Sequence, residues 1–148
     1  MDFKTFVTLT ESYEKDLKKT LKKLPKRHSQ LVAKHRFVFQ PGNELKGDGE
    51  HIGIIDNKRR TITVAAPWNF GREMTVLHEI GHLVWNILLT KEQQQKWAKI
   101  AKRTKLPKDA KQNPEELFCM AYGATYAHRP PAAYLHDEWE RFIKALPK

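Results

Sequence analysis

The chain has 148 residues, 40% of them hydrophobic and 30% charged, which supplies the core of one compact domain and excludes disorder as the main state. Lysine and arginine outnumber aspartate and glutamate 27 to 17, a formal charge of +10 that brings acidic surfaces and nucleic acid into consideration as partners. No run approaches the roughly 18 to 20 apolar residues of a membrane span, no basic-then-apolar leader follows Met1, and Cys119 is the only cysteine, which excludes an intramolecular disulfide and a cysteine-cluster zinc site. A cytoplasmic setting is expected from these features, with secretion by a signal-less route left open, and no membrane partner is expected.

Ten of the cations fall in residues 1–36 and eight in residues 91–111, both segments that read as helices, so solvated basic faces account for them. No nucleic-acid recognition motif accompanies the charge, which disfavours nucleic acid as the partner.

Over residues 6–24 apolar side chains recur at helical spacing (Phe6, Leu9, Tyr13, Leu17, Leu21, Leu24), with Lys15, Lys18, Lys19, Lys22 and Lys23 on the remaining surface. This predicts an amphipathic helix stopped by Pro25. A short apolar stretch at residues 31–33 precedes Phe37, Val38 and Phe39, which predict a strand over 36–40 ending at Pro41-Gly42. Residues 40–50 hold three of the seven glycines and read as an exposed loop. The β-rich segments 51–55 and 61–65 flank Asp56-Asn57-Lys58 and predict a hairpin, whose second strand can offer an edge to an extended peptide. Helical periodicity returns over 72–89, Thr90 is placed to cap a helix over 91–102, and a polar linker runs between Pro107 and Pro114. Pro114 suits the first turn of a helix over 114–127, which Arg129-Pro130-Pro131 stops, and a last helix is expected over 132–146.

The most informative residues are His78-Glu79-Ile80-Gly81-His82, an H-E-x-x-H pattern within the apolar series Met74, Val76, Leu77, Ile80, Leu83, Val84, Trp85, Ile87 and Leu88. Residues i and i+4 share one helix face, so both imidazoles can reach a single zinc ion. Glu79, one position further round, can act as general base toward a water that the metal polarises. Two histidines and a glutamate buried among apolar residues would cost several kcal/mol unless something such as a metal satisfies them. Gly81 costs about 0.5 to 1 kcal/mol in a helix interior, and so signals close approach of another group.

A catalytic zinc needs a third protein ligand and one open position. The metzincin pattern, with a histidine six residues after His82, is excluded by Leu88. Asn113-Pro114-Glu115-Glu116 supplies two carboxylates at the start of a later helix, where an acid is also favoured by the helix dipole alone. Glu116 is preferred as the ligand, because Met120, Gly123 and Ala127 share its face and can pack on the zinc helix, while Glu115 falls on a more polar flank. His28, His35 and His136 sit among charged residues and are expected to be solvated; His51 and His128 can line a cleft. Tyr122, Tyr126 and His128 are candidates for stabilising an oxyanion, although aromatic residues in a helix usually belong to a core.

His78 to His82, followed by Glu116 in Asn113-Pro114-Glu115-Glu116-Leu117-Phe118-Cys119-Met120-Ala121-Tyr122, resembles the catalytic domain of the anthrax-lethal-factor-like metallopeptidases, a gluzincin family. Pro131, Tyr134 and Phe142-Ile143 continue the likeness, which covers about residues 50–148. The resemblance implies zinc held by His78, His82 and Glu116, Glu79 as general base, and hydrolysis of peptide bonds. Two positions depart from the family pattern: Asp109 stands where a tyrosine stabilises the oxyanion, and Met120 where a second acid supports the metal ligands. Residues 72–78 are also similar to the ImmA/IrrE-type metallopeptidases, which implies the same zinc and base with a repressor as substrate.

The expectation is therefore one α+β, zincin-like domain over residues 1–148, with an N-terminal helical segment (1–35) and a catalytic core (36–148). A small antiparallel sheet would pack on the active-site helix, with further helices on the C-terminal side. The expected activity is zinc-dependent endopeptidase action on a protein or peptide. The rival is a non-catalytic basic module that contacts nucleic acid or an acidic protein and carries a structural or vestigial zinc site.

Overall fold

The computed structural model describes residues 14–40, 53–56, 58–65, 70–104, 113–128, 130 and 136–147. Helix α1 is described over 14–22, and the apolar positions Phe6, Leu9 and Tyr13 of the expected helix lie outside the described residues. Of the apolar positions read there, Leu17 and Leu24 are buried and Leu21 is half-buried against the core, while Lys15, Lys18, Lys19, Lys22 and Lys23 are exposed; Thr20, outside that reading, is buried as well. Pro25 does not end the helical region but caps a second helix, α2 (Lys26–Ala33), which buries His28 and Val32. A proline at a helix start loses no intrahelical bond, so the same residue that stops α1 begins α2.

Three short strands follow: β1 (Arg36–Gln40), β2 (Gly53–Asp56) and β3 (Thr61–Ala65). The antiparallel pairing of β2 with β3 is the expected hairpin, and the Asp56 carboxylate holds its turn by accepting from the backbone N–H groups of Lys58 and Arg59 at 3.0 and 3.1 Å. Arg60 takes the left-handed conformation there, with φ 51. The sheet as a whole is mixed, not antiparallel, because β1 pairs with β3 in parallel, Arg36 opposite Thr61 through Gln40 opposite Ala65. β3 is thus the central strand, in the order β1-β3-β2, and has no edge to offer a peptide. The expected loop 40–50 falls, beyond Gln40, outside the described residues, as do His51, Pro67, Asp109 and Tyr134.

Among the described residues the architecture is mainly helical with this one small sheet, loosely α+β, and two helices precede the sheet where one was expected. The helix read over 72–89 is α3 (Phe70–Leu83) continued by a π-helical turn over Val84–Leu88, where Leu89 N–H bonds to the Val84 carbonyl five residues back at 3.1 Å. Thr90 caps α4 (Lys91–Arg103) in a reciprocal capping box with Gln93. Asn113 caps α5 (Pro114–Tyr126) by accepting from the N–H groups of Glu115 and Glu116, with Pro114 in the first turn. The last helix, α6 (Asp137–Lys144), is shorter than expected and buries Trp139, Phe142 and Ile143. No helix among the described residues is long and apolar enough to cross a membrane.

α3 packs on β2 and β3 and, more extensively, on α5. Its Val76, Leu77 and Ile80 are buried against one core that includes Leu117, Phe118 and Tyr122 of α5. Trp97 of α4 stacks within 5.3 to 5.6 Å, between ring centres, of Phe118, Trp139 and Phe142, and its Nε1 donates to the Pro114 carbonyl at 2.8 Å. That bond ties α4 to the first turn of α5, where the acidic pair sits. At the far end of α5, Tyr122 and His28 of α2 share a 2.9 Å hydrogen bond in full burial.

His28 was expected to be solvated and is instead wholly buried, because α2 lays it against α5. Burial holds its imidazole below the ordinary value of 6.5, and the Arg27 charge acts in the same direction. The Pro147 backbone pulls the other way, second to burial and ahead of Arg27, and Nε2 has no hydrogen-bond partner among the described residues.

Two glycines permit the α3–α5 approach. A Cβ on Gly81 would stand 2.9 Å from the Cα of Cys119, against backbone that cannot yield without moving the helix. A Cβ on Gly123 would meet the flexible end of Met74, with Cε at 3.0 Å. Gly81→Ala is therefore expected to destabilise the protein by about 1–3 kcal/mol despite a helix-propensity gain near 1 kcal/mol, while Gly123→Ala changes stability much less; urea unfolding of both variants checks the difference. The depressed His28 value sets a second expectation. The unfolded chain takes up the proton first, so stability is complete above about pH 6.5 and falls as the pH drops through the interval below it. His28→Gln should flatten that slope in urea titrations run from about pH 8 to about pH 5, and an unchanged slope would refute the assignment to His28.

Candidate metal centre

The antiparallel packing of α3 on α5 brings the H-E-x-x-H residues opposite the start of α5. His78 and His82, one turn apart on α3, set their rings edge to face with centres 5.0 Å apart. Glu116 spans them, with one carboxylate oxygen 2.9 Å from His78 Nε2 and the other 3.2 Å from His82 Nε2. The three side chains are 22%, 22% and 34% exposed, so solvent reaches a site whose walls are core.

Glu115 does not lie on a polar flank as expected. Adjacent helical residues diverge by about 100°, which lets Glu116 reach one nitrogen of His82 while Glu115 Oε1 meets the other, Nδ1, at 2.9 Å. Asn86, in the π-helical turn, donates from Nδ2 to that same Oε1 at 2.9 Å and to the His82 carbonyl at 2.8 Å. His82 therefore has a carboxylate support from the start of α5.

These atoms bear on whether the residues fit a zinc ion. A carboxylate only accepts, so the short His82–Glu115 bond puts a proton on Nδ1 and leaves the Nε2 lone pair, in the neutral ring, facing the Glu116 carboxylate. With Nε2 deprotonated, two acceptors would face each other 3.2 Å apart, and either a proton or a metal ion between them would satisfy both. Burial, and secondarily the neighbouring His82, push the His78 imidazole toward its neutral form against the pull of Glu116, and the neutral ring is the form that ligates metals. Ligand atoms on one tetrahedral zinc stand roughly 3.3 Å apart, and the two Glu116 oxygens stand 2.9 and 3.2 Å from one histidine nitrogen each. The donor set of two imidazoles and one carboxylate fits zinc.

Cys119 enlarges the cluster. Its Sγ lies with one nitrogen of each histidine in a group whose atoms are all within 4.8 Å of one another. The thiol is wholly buried at the Gly81 contact, and burial, followed by the charges of Glu116, Glu115 and Glu79, pushes it strongly toward the protonated form. Glu116 also reaches both imidazoles, through one carboxylate oxygen to each, so both the carboxylate and the thiol lie beside the histidine pair. Glu79 is half-buried on the same helix, and its charge is felt at Cys119.

Other expected site residues fall elsewhere. Tyr122 is fully buried with its hydroxyl bonded to His28, out of reach of a substrate, and Tyr126 stacks on it at 5.0 Å and lies edge-on to His28. His128 is exposed at the end of α5, where its backbone N–H donates to the buried Glu73 carboxylate at 2.7 Å. His35 is half-buried with Nδ1 at 3.1 Å from the Leu31 carbonyl, and His136 is half-buried against Trp139. Asn86 and Cys119 escaped the sequence reading. For Cys119 the signal was its place one turn after Glu116 on the same helix; for Asn86 there was only its i+4 spacing from His82.

The chain matches no known family model, no curated protein and no solved structure. Its geometry therefore stands alone as the ground for a functional reading. Burial of Cys119 leads to one direct expectation: the thiol should resist an aromatic disulfide reagent in the folded protein and react only on unfolding, and rapid labelling of the native protein would contradict its place in the helix seam.

Proposed function

We propose that the protein is a zinc-dependent metallopeptidase of the gluzincin type that its sequence resembles, with His78, His82 and Glu116 holding the metal and Glu79 acting as general base. One observation carries this reading: a carboxylate from α5 spans the Nε2 atoms of both H-E-x-x-H histidines at 2.9 and 3.2 Å. When bound, zinc supplies Lewis-acid polarisation of a carbonyl and lowers the pKa of water. Glu79 takes the proton of the attacking water and returns it to the departing amine as the peptide bond breaks. His78 and His82 face the reacting centre from one helix, and the seam behind them excludes water. The mixed sheet, α3 and the Glu-bearing α5 are the elements we read as a zincin-like arrangement.

Cys119 favours a second reading. A thiol within reach of both imidazoles would close the coordination shell and make the zinc structural, in a module whose exposed lysines on α1 bind an acidic partner.

Metal analysis and peptide digestion separate the two. The purified chain should hold about one zinc, Glu116→Ala and His82→Ala should lose it, and Cys119→Ser should keep it. Glu79→Gln should keep zinc while hydrolysis of a mixed peptide pool falls by about 10² or more. Cleavage retained by Glu79→Gln refutes the mechanism. Zinc lost from Cys119→Ser, in a wild type that cleaves nothing, supports the structural site.

A further inference from the structure

Asn86 and Glu115 engage His82 from two sides, one at its backbone and one at its ring. Asn113 already caps α5 with hydrogen bonds to two N–H groups, and a carboxylate in the first turn interacts favourably with the helix dipole while pointing into solvent. Glu115 instead gives up side-chain freedom to meet His82 Nδ1 at 2.9 Å. Asn86 is exposed, yet both hydrogen bonds of its Nδ2 point inward, at 2.8 Å to the His82 carbonyl and 2.9 Å to Glu115 Oε1. One amide therefore clamps the backbone of the histidine and the carboxylate that holds its ring. The clamp starts from a π-helical turn, a departure from regular helix that is frequent at functional sites.

We propose that Glu115, held by Asn86, is a positioning residue that keeps the His82 ring in the Nδ1–H tautomer and aims its Nε2 lone pair at the metal position beside Glu116. This rests on the reading of the site as a zinc centre and names residues that set its affinity. A single-bonded imidazole turns about two side-chain torsions and interchanges two tautomers; a carboxylate acceptor fixed on Nδ1 removes both freedoms before the metal arrives. The negative charge on Glu115 also raises the donor strength of the ring.

The test uses the full chain with the variants Glu115→Ala, Glu115→Gln and Asn86→Ala. Zinc affinity is measured by competition with a chromogenic chelator, and the His82 ring nitrogens are read by ¹⁵N NMR in the metal-free protein near pH 8, above the ordinary imidazole range. The wild type should show His82 as the Nδ1–H tautomer. Glu115→Ala should weaken zinc about 10- to 100-fold and give mixed tautomers, since loss of such outer partners has effects of that size. Glu115→Gln keeps an oxygen acceptor and should retain the tautomer with a smaller loss of affinity, and Asn86→Ala should shift both readouts in the direction of Glu115→Ala. These conservative variants carry the test if Glu115→Ala does not fold. Wild-type affinity and tautomer in Glu115→Ala, alongside zinc loss in Glu116→Ala, overturn the positioning role and leave the zinc centre standing. A wild type that cannot take up supplied zinc overturns both.

Discussion

The close contact of α3 with α5 at Gly81 and Cys119 is the constraint on which the rest of this structure depends. With no Cβ at position 81, the α5 backbone comes near enough that a methyl there would stand 2.9 Å from the Cys119 Cα. That distance sets the separation of the two helices, and thereby the reach of a carboxylate on one to imidazoles on the other. Glu116 precedes Cys119 by one turn, and His78 and His82 flank Gly81, so the seam and the candidate centre are the same feature seen from its buried and its open side. A glycine that lowers helix propensity is here what allows the functional side chains to meet.

Around this seam the molecule stations groups that hold α5 in register. Trp97 is bonded to the Pro114 carbonyl at the start of the helix, Tyr122 to His28 in its last turns, and Glu73 to the His128 backbone just beyond its end. Each is a polar contact within or beside an apolar core, where a lost partner would leave a buried group unsatisfied at about 1–3 kcal/mol. Rigidity of this kind would suit the metal centre proposed for this seam, whose donors need to be held within about 0.5 Å of their positions.

The acidic pair of α5 illustrates how neighbouring residues divide a task. Glu115 and Glu116 both begin a capped helix, and the dipole argument applies equally to each. They part because the helix turns about 100° between them, so one carboxylate spans the two Nε2 atoms and the other takes the outer nitrogen of His82. The clamp from Asn86 depends on the π-helical turn that follows α3, a feature of backbone hydrogen bonding that no side-chain periodicity announces.

Local signals in the sequence determined much of this protein. The periodicity read over residues 72–89, the Thr90 cap, Pro114 at a helix start and the turn at Asp56 each act through neighbours a few residues apart, and the H-E-x-x-H spacing places two imidazoles on one helix face wherever that helix packs. What needed the tertiary structure involves partners far apart in the chain. The parallel pairing that makes β3 central, the burial of His28 on Tyr122 94 positions away, the division between Glu115 and Glu116 and the thiol beneath the site all follow from which faces meet. Such contacts are decided by how the elements pack together, and a helix pattern specifies which face is apolar without specifying what will lie against it.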